Sequence, residues 1–284
     1  MLWRWAAALA IASATSVSAQ SLDAVPVPAS EDAAEIIALE RDLYRRLTVP
    51  VTIGGQGPFR FLIDTGSQAT VLSRELADHL SLTERQSAVL VGAASRVPVE
   101  TTAVRALGLG SRTFDIPLAP LVEGRHLGGE AQGILGVDSL QNQRVLLDFV
   151  TSRITVADAA DLGGNRGFKI IVRARRKLGQ LIITRAELDG VRGAVIVDTG
   201  AGGSTGNSAL LRKLRRAQVA GSARMTDVNG YTVDGTMYLG KERTSGRARL
   251  RNLAILVEDA PASEALGLRD EPALDLGMAE LRLF

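Results

Sequence analysis

The chain has 284 residues, 46% of them hydrophobic, which is enough to bury the core of one large domain or two small ones. Its formal net charge of +2 is too balanced to imply a nucleic-acid partner. The absence of cysteine removes thiol nucleophiles, disulfides and thiolate metal sites, and the two histidines, His79 and His126, are too few and too scattered for a zinc site or a Ser-His-Asp triad.

Aromatic residues make up only 4% of the chain, while 29 glycines separate short Val, Ile and Leu runs. That texture predicts a β-rich protein with many turns. At the N-terminus, Arg4, the apolar run Ala6 to Ala12 and the small residues Val17-Ser18-Ala19 predict a signal peptide over 1–19. The apolar run is too short to span a bilayer, so the mature chain is expected to start near Gln20 and to stay out of the membrane. Residues 20–42 read as a linker or pro-segment, with a helix expected over 31–41.

From Leu43 the period becomes two: Leu43, Arg45, Leu47, Val49, Val51 and Ile53 share one face of a strand. Gly54-Gly55 with Gly57-Pro58 predicts the turn, and Phe59 to Ile63 the return strand, which ends at Asp64. A second hairpin has the same form. Leu181 to Leu188, the turn Asp189-Gly190 and the strand Ala194 to Val197 end at Asp198.

Both return strands run into Asp-Thr-Gly: Asp64-Thr65-Gly66 and Asp198-Thr199-Gly200. Each is followed by an apolar-Leu-Gly signature, Gly133-Ile134-Leu135-Gly136 and Leu274-Asp275-Leu276-Gly277. The interval from Asp64 to Gly136 is 72 residues and that from Asp198 to Gly277 is 79. The chain therefore reads as an internal repeat, with an N-terminal lobe over 43–157, a linker at 158–167 and a C-terminal lobe over 168–284.

Two such loops, packed about a pseudo-two-fold axis, would bring two carboxylates together. Close carboxyls share a proton. The ionised one can then take a proton from water while the protonated one polarises a carbonyl. This chemistry needs no metal and no cofactor.

Val49-Pro50-Val51-Thr52-Ile53-Gly54, followed by Phe61 to Ser73 around Asp64-Thr65-Gly66, resembles the retropepsin-like aspartic proteases, and Gly133 to Gly136 is similar to that family's second signature. The resemblance implies an all-β, bilobal fold of the pepsin and retropepsin kind, with two similar lobes and a cleft between them. It implies Asp64 and, through the repeat, Asp198 as catalytic residues, supported by Thr65, Gly66, Ser67, Thr199, Gly200 and Ala201. It further implies a flap near Val91-Gly92-Ala93-Ala94-Ser95. The expected function is that of an aspartic endopeptidase acting on protein or peptide substrates, as a periplasmic or extracellular monomer.

The second half departs from the pattern in the glycine-rich Ala201 to Asn207, and in Asp275, which stands where a glycine is expected before the second signature. That departure motivates one alternative, a peptide-binding protein without efficient chemistry. Another is a homodimer using only Asp64 of each chain. Because Ser67 and Ala201 follow the two motifs, a Ser67 hydroxyl bonded to Asp64 is expected to favour ionised Asp64 and protonated Asp198. Tyr231 reads as an exposed hairpin aromatic or a flap-tip residue. The basic runs 173–177, 212–216 and 247–251 read as solvated faces.

Overall fold

The computed structural model describes residues 34–41, 46–140, 143–149, 153–158, 182–215, 217–245 and 248–283. The expected signal segment, the start of the expected strand at Leu43 and Arg45, nearly all of the linker expected at 158–167, and the basic run 173–177 lie outside the described residues.

The chain enters through β1 (Ala34–Ala38) and β2 (Glu40–Arg41), then forms a hairpin of β3 (Leu47–Ile53) and β4 (Gln56–Ile63). There follow β5 (Val71–Ser73), α1 (Arg74–His79), β6 (Gln86–Val91), β7 (Arg96–Leu109), β8 (Arg112–Val122), α2 (Gly124–Leu127) and β9 (Gly133–Leu135). Strands β10 (Gln143–Asp148) and β11 (Arg153–Asp158) pair with each other. The second half comprises β12 (Ile182–Leu188), β13 (Val191–Val197), β14 (Ser204–Gly206), α3 (Ser208–Lys213), β15 (Gln218–Thr226), β16 (Thr232–Ser245), β17 (Ala248–Val257), α4 (Pro261–Ala265), β18 (Ala273–Leu276) and α5 (Met278–Leu281).

The fold is all-β and bilobal. One sheet has the order β2-β3-β4-β9-β5-β8-β7-β6 and the other β12-β13-β18-β14-β17-β16-β15. Apart from the edge strand β2 the two orders correspond strand for strand, including the additional pairings β3–β7 and β12–β16. The repeat seen in sequence is thus a repeat of topology.

The hairpins that open each sheet show why these residues fold so. In β3, Leu47, Val49, Val51 and Ile53 are buried while Pro50 and Thr52 face out, as a period of two requires. Gly54 and Gly55 take φ of 57° and 80°, a conformation glycine adopts freely, and Ile53 pairs directly with Gln56. Strand β4 therefore starts earlier than expected and includes Gly57-Pro58. Asp189 and Gly190 do the same for β12 and β13, at φ of 48° and 83°.

The helix expected over 31–41 is not formed; its described part is β1 and β2. Strand β1 pairs antiparallel with β11, Ile36 opposite Thr155 and Ile37 opposite Ile154, in a three-stranded sheet with β10. Ile37 and Ile154 are buried in the main apolar core. A pairing that buries β-branched side chains outweighs a weak local helix preference.

Candidate active site

Strands β4 and β13 lie inside their sheets, each between an antiparallel partner and a parallel one, β9 or β18. Each delivers an aspartate at its end. The Asp64 amide donates to the Leu135 carbonyl at 3.1 Å, and the Asp198 amide to the Leu276 carbonyl at 3.0 Å. The two loops then meet. Thr65 Oγ1 donates to the Val197 carbonyl at 2.6 Å, and Thr199 Oγ1 donates to the Ile63 carbonyl at 2.7 Å. Each threonine hydroxyl also accepts from the other's backbone N–H, at 3.1 and 3.2 Å. Both threonines are buried, so these four bonds fasten the loops together away from water.

The same symmetry holds each carboxylate. Asp64 Oδ1 accepts from the Gly66 and Ser67 amides at 2.8 and 2.9 Å, and Asp198 Oδ1 from the Gly200 and Ala201 amides at 2.7 and 3.0 Å. The other side of each carboxyl lies over the opposite loop. A Cβ on Gly66 would stand 2.5 Å from Asp198 Cγ, and one on Gly200 would collide with the Asp64 carboxyl. Both glycines are thus required by close approach across the pair.

Burial, then the neighbouring charge of Asp198 and the hydrogen bond to it, push the Asp64 carboxyl well above the usual carboxylate range, against the opposing pull of the Gly66 and Ser67 amides. The expectation that a Ser67 hydroxyl bond keeps Asp64 ionised fails on the position of that hydroxyl. The Ser67 hydroxyl turns away and donates to the Ala69 carbonyl at 2.8 Å. Only its backbone N–H reaches Asp64, and Ala201 supplies the same bond to Asp198.

The loop after Asp198 is built like its counterpart despite its glycines. Thr70 Oγ1 donates to Asp138 at 2.6 Å and accepts from the Gly136 amide; Ser204 Oγ donates to Glu280 at 2.5 Å and accepts from the Gly277 amide. Ser73 caps α1 and Asn207 caps α3. Asp138 and Glu280 escaped the sequence reading, although each follows its glycine signature within three residues.

Asp275 was singled out only as a departure from pattern, and the pairing corrects its place. Strand β18 sets Leu274 opposite Val195 and Asp275 opposite Ile196, as β9 sets Gly133 opposite Phe61 and Ile134 opposite Leu62. Asp275 therefore replaces Ile134, not a glycine. Its carboxyl is pushed well above the usual range by burial, then by the charges of Asp198 and Asp64 and a hydrogen bond to Asp198. Nearby, Glu258 is raised to about 7 by burial and by the charges of Asp227 and Asp259.

The expected flap, Gly92 to Ser95, is the turn between β6 and β7. It meets the turn between β15 and β16. Asp227 accepts from Ser95 Oγ at 2.5 Å and from the Ala94 amide at 3.2 Å, and Asn229 Nδ2 donates to Ser95 Oγ at 2.8 Å. Asp227 also accepts from the Asn229 and Tyr231 amides, while the Tyr231 side chain stays exposed. Sequence reasoning missed Asp227 because its partners in the opposite turn, Ala94 and Ser95, lie more than a hundred residues away.

His79 lies in α1 with its ring edge-on to Phe59, and His126 lies in α2, against Gly230. Among the described residues no group of three His, Asp or Glu is arranged to hold a metal ion. A cavity of about 360 Å³ beside β7, lined by Arg74, Glu100, Glu123 and Asn229 among others, does not include the aspartate pair.

Residues 49–139, less than half of the chain, match a family described as aspartyl protease. Among solved structures, a retropepsin-like aspartic protease from Rickettsia conorii is similar at 17% identity and a TM-score of 0.33, over 43% of this chain and 89% of that one. No curated protein matches the chain.

Proposed function

We propose that this protein is an aspartic endopeptidase whose catalytic pair, Asp64 and Asp198, is supplied by one chain. The observation that carries this reading is the reciprocal arrangement of the two loops: each carboxyl is held by two amides of its own turn and lies over the glycine of the other. The match of residues 49–139 to the aspartyl protease family supports it.

In this reading the pair carries one proton. The ionised carboxylate takes a proton from water as the water oxygen attacks the peptide carbonyl carbon, and the protonated carboxyl gives its proton to the carbonyl oxygen. Collapse of the resulting diol passes a proton to the amide nitrogen, breaks the C–N bond and restores a singly protonated pair. Thr65, Gly66, Ser67, Thr199, Gly200 and Ala201 hold the carboxyls and take no proton. The joined hairpin turns would cover a bound peptide. Residues 1–19 are proposed as an export signal, which would place the mature monomer in the periplasm or outside the cell.

Incubating the protein lacking residues 1–19 with a mixed peptide library from acid to neutral pH tests this reading. Internal cleavage with a bell-shaped pH profile is expected. Peptide binding without cleavage at any pH would instead favour a binding protein.

A further inference from the structure

In the first lobe the wall beside Asp64 is apolar. Ile134 on β9 faces Leu62 and Val71 across the sheet, and Val122 completes the buried cluster. The second lobe has the same backbone pairings with different chemistry. Asp275 takes the place of Ile134 and Thr205 that of Val71, the two being opposite one another. Glu258 follows the Val257 that pairs with Gly206, as Val122 follows the Leu121 that pairs with Leu72. Two acids have thus been set into one wall of the site and none into the other.

Asp275 is not a substitute for either member of the pair, since it lies on a strand and not in an Asp-Thr-Gly turn. The charged groups that act on it are all acidic: Asp198 at the end of β13, Asp64 at the end of β4 and Glu258 after β17. Strand pairing seats Asp275 beside Asp198, whose amide binds the carbonyl of the next residue, Leu276, and its carboxyl lies within hydrogen-bonding reach of Asp198, while no amide or hydroxyl among the described residues donates to its buried Oδ1. A contact between two carboxyls, with no cationic side chain of the described residues acting on Asp275, requires a proton between them. Asp64 and Asp198 each accept two amides of their own turn, so a bond from Asp275 would be the difference between them.

We propose that Asp275 is a positioning residue that holds a proton, donates it in a hydrogen bond to Asp198, and so fixes Asp198 as the base of the pair and Asp64 as the acid. The working site then holds two protons on three carboxyls. Burial and the surrounding acids keep Asp275 protonated, and a donor to the Asp198 carboxylate favours its ionised form. This inference rests on the protease reading for its consequence and its kinetic test, but not for the titration of Asp275 itself.

Two neutral replacements separate the donor from the charge. Asp275→Asn keeps an N–H donor, whereas Asp275→Ile restores the residue of the first lobe and donates nothing. The pH profile of kcat/KM is expected to keep its acid limb within a few tenths of a unit in Asp275→Asn. In Asp275→Ile it should move to higher pH by about one unit, a tenfold loss at the wild-type limb. An equal shift of both variants to lower pH would mean that Asp275 is ionised in the working enzyme, and would overturn the proposal. So would a preference for Lys or Arg beside the scissile bond that both variants lose. If the wild type cleaves nothing, or Asp275→Ile does not fold, the carboxyl-carbon NMR titration of Asp275 in the wild-type protein still decides. A proton retained far above the ordinary value of about 3.9 is expected, and titration near that value would overturn the assignment.

Discussion

Ser67 and Ala201 differ by a hydroxyl that plays no part in holding the carboxyls, because both residues bind their aspartate through the backbone. Ser67→Ala should therefore leave the acid limb of the pH–rate profile in place, while removing a bond to the Ala69 carbonyl. The threonines are a different matter. Thr199→Val would leave the buried Ile63 carbonyl and Thr65 amide without partners. The expected loss is about 1–3 kcal/mol for each unsatisfied group, read as a lower urea midpoint. Asp64 and Asp198 were legible in the sequence because their motifs are contiguous and end apolar strands. Asp275 and Asp227 were not, because their meaning depends on pairing and on contacts between distant segments. The serine hydroxyl misled because a side chain beside a motif need not turn toward it.

Strands whose apolar residues alternate, such as β3 with Leu47, Val49, Val51 and Ile53, could be read directly, as could the turns at Gly54-Gly55 and Asp189-Gly190. Strand β1 could not, since its partner β11 lies more than a hundred residues away and local composition favours a helix. Because Ile37 packs into the main core, deleting residues 20–42 should lower the thermal midpoint and not simply uncover the cleft. The hairpin turns make a second element-scale prediction. Asp227→Ala removes the acceptor shared by Ser95, Ala94, Asn229 and Tyr231. Hydrogen exchange at Gly92 to Ser95 should speed up markedly, and KM should rise more than kcat falls. Unchanged exchange there would show that the turns are held by other contacts.

Across the whole molecule, the matching strand orders place one aspartate at the same point of each sheet, so a duplication in sequence becomes a symmetric pair in space. The same burial makes stability depend on pH. Glu258 is raised from 4.5 to about 7, so the unfolded chain ionises first and the folded state loses stability as pH rises through that window. Asp64 and Asp275, also raised, act in the same direction. Relative to Glu258→Gln, the wild type should lose on the order of 1–2 kcal/mol between those pH values, a figure reduced for the partial exposure of Glu258. Chemical denaturation of both proteins across the range measures it. Peptide cleavage by purified Asp64→Asn, by purified Asp198→Asn and by the two mixed shows whether one chain supplies both halves of the catalytic pair. Each variant should lose about 10²–10⁴-fold or more in kcat/KM while staying folded, and the mixture should stay inactive. Near-normal cleavage by Asp198→Asn, or recovery of activity on mixing, would mean that the pair is not formed within one chain.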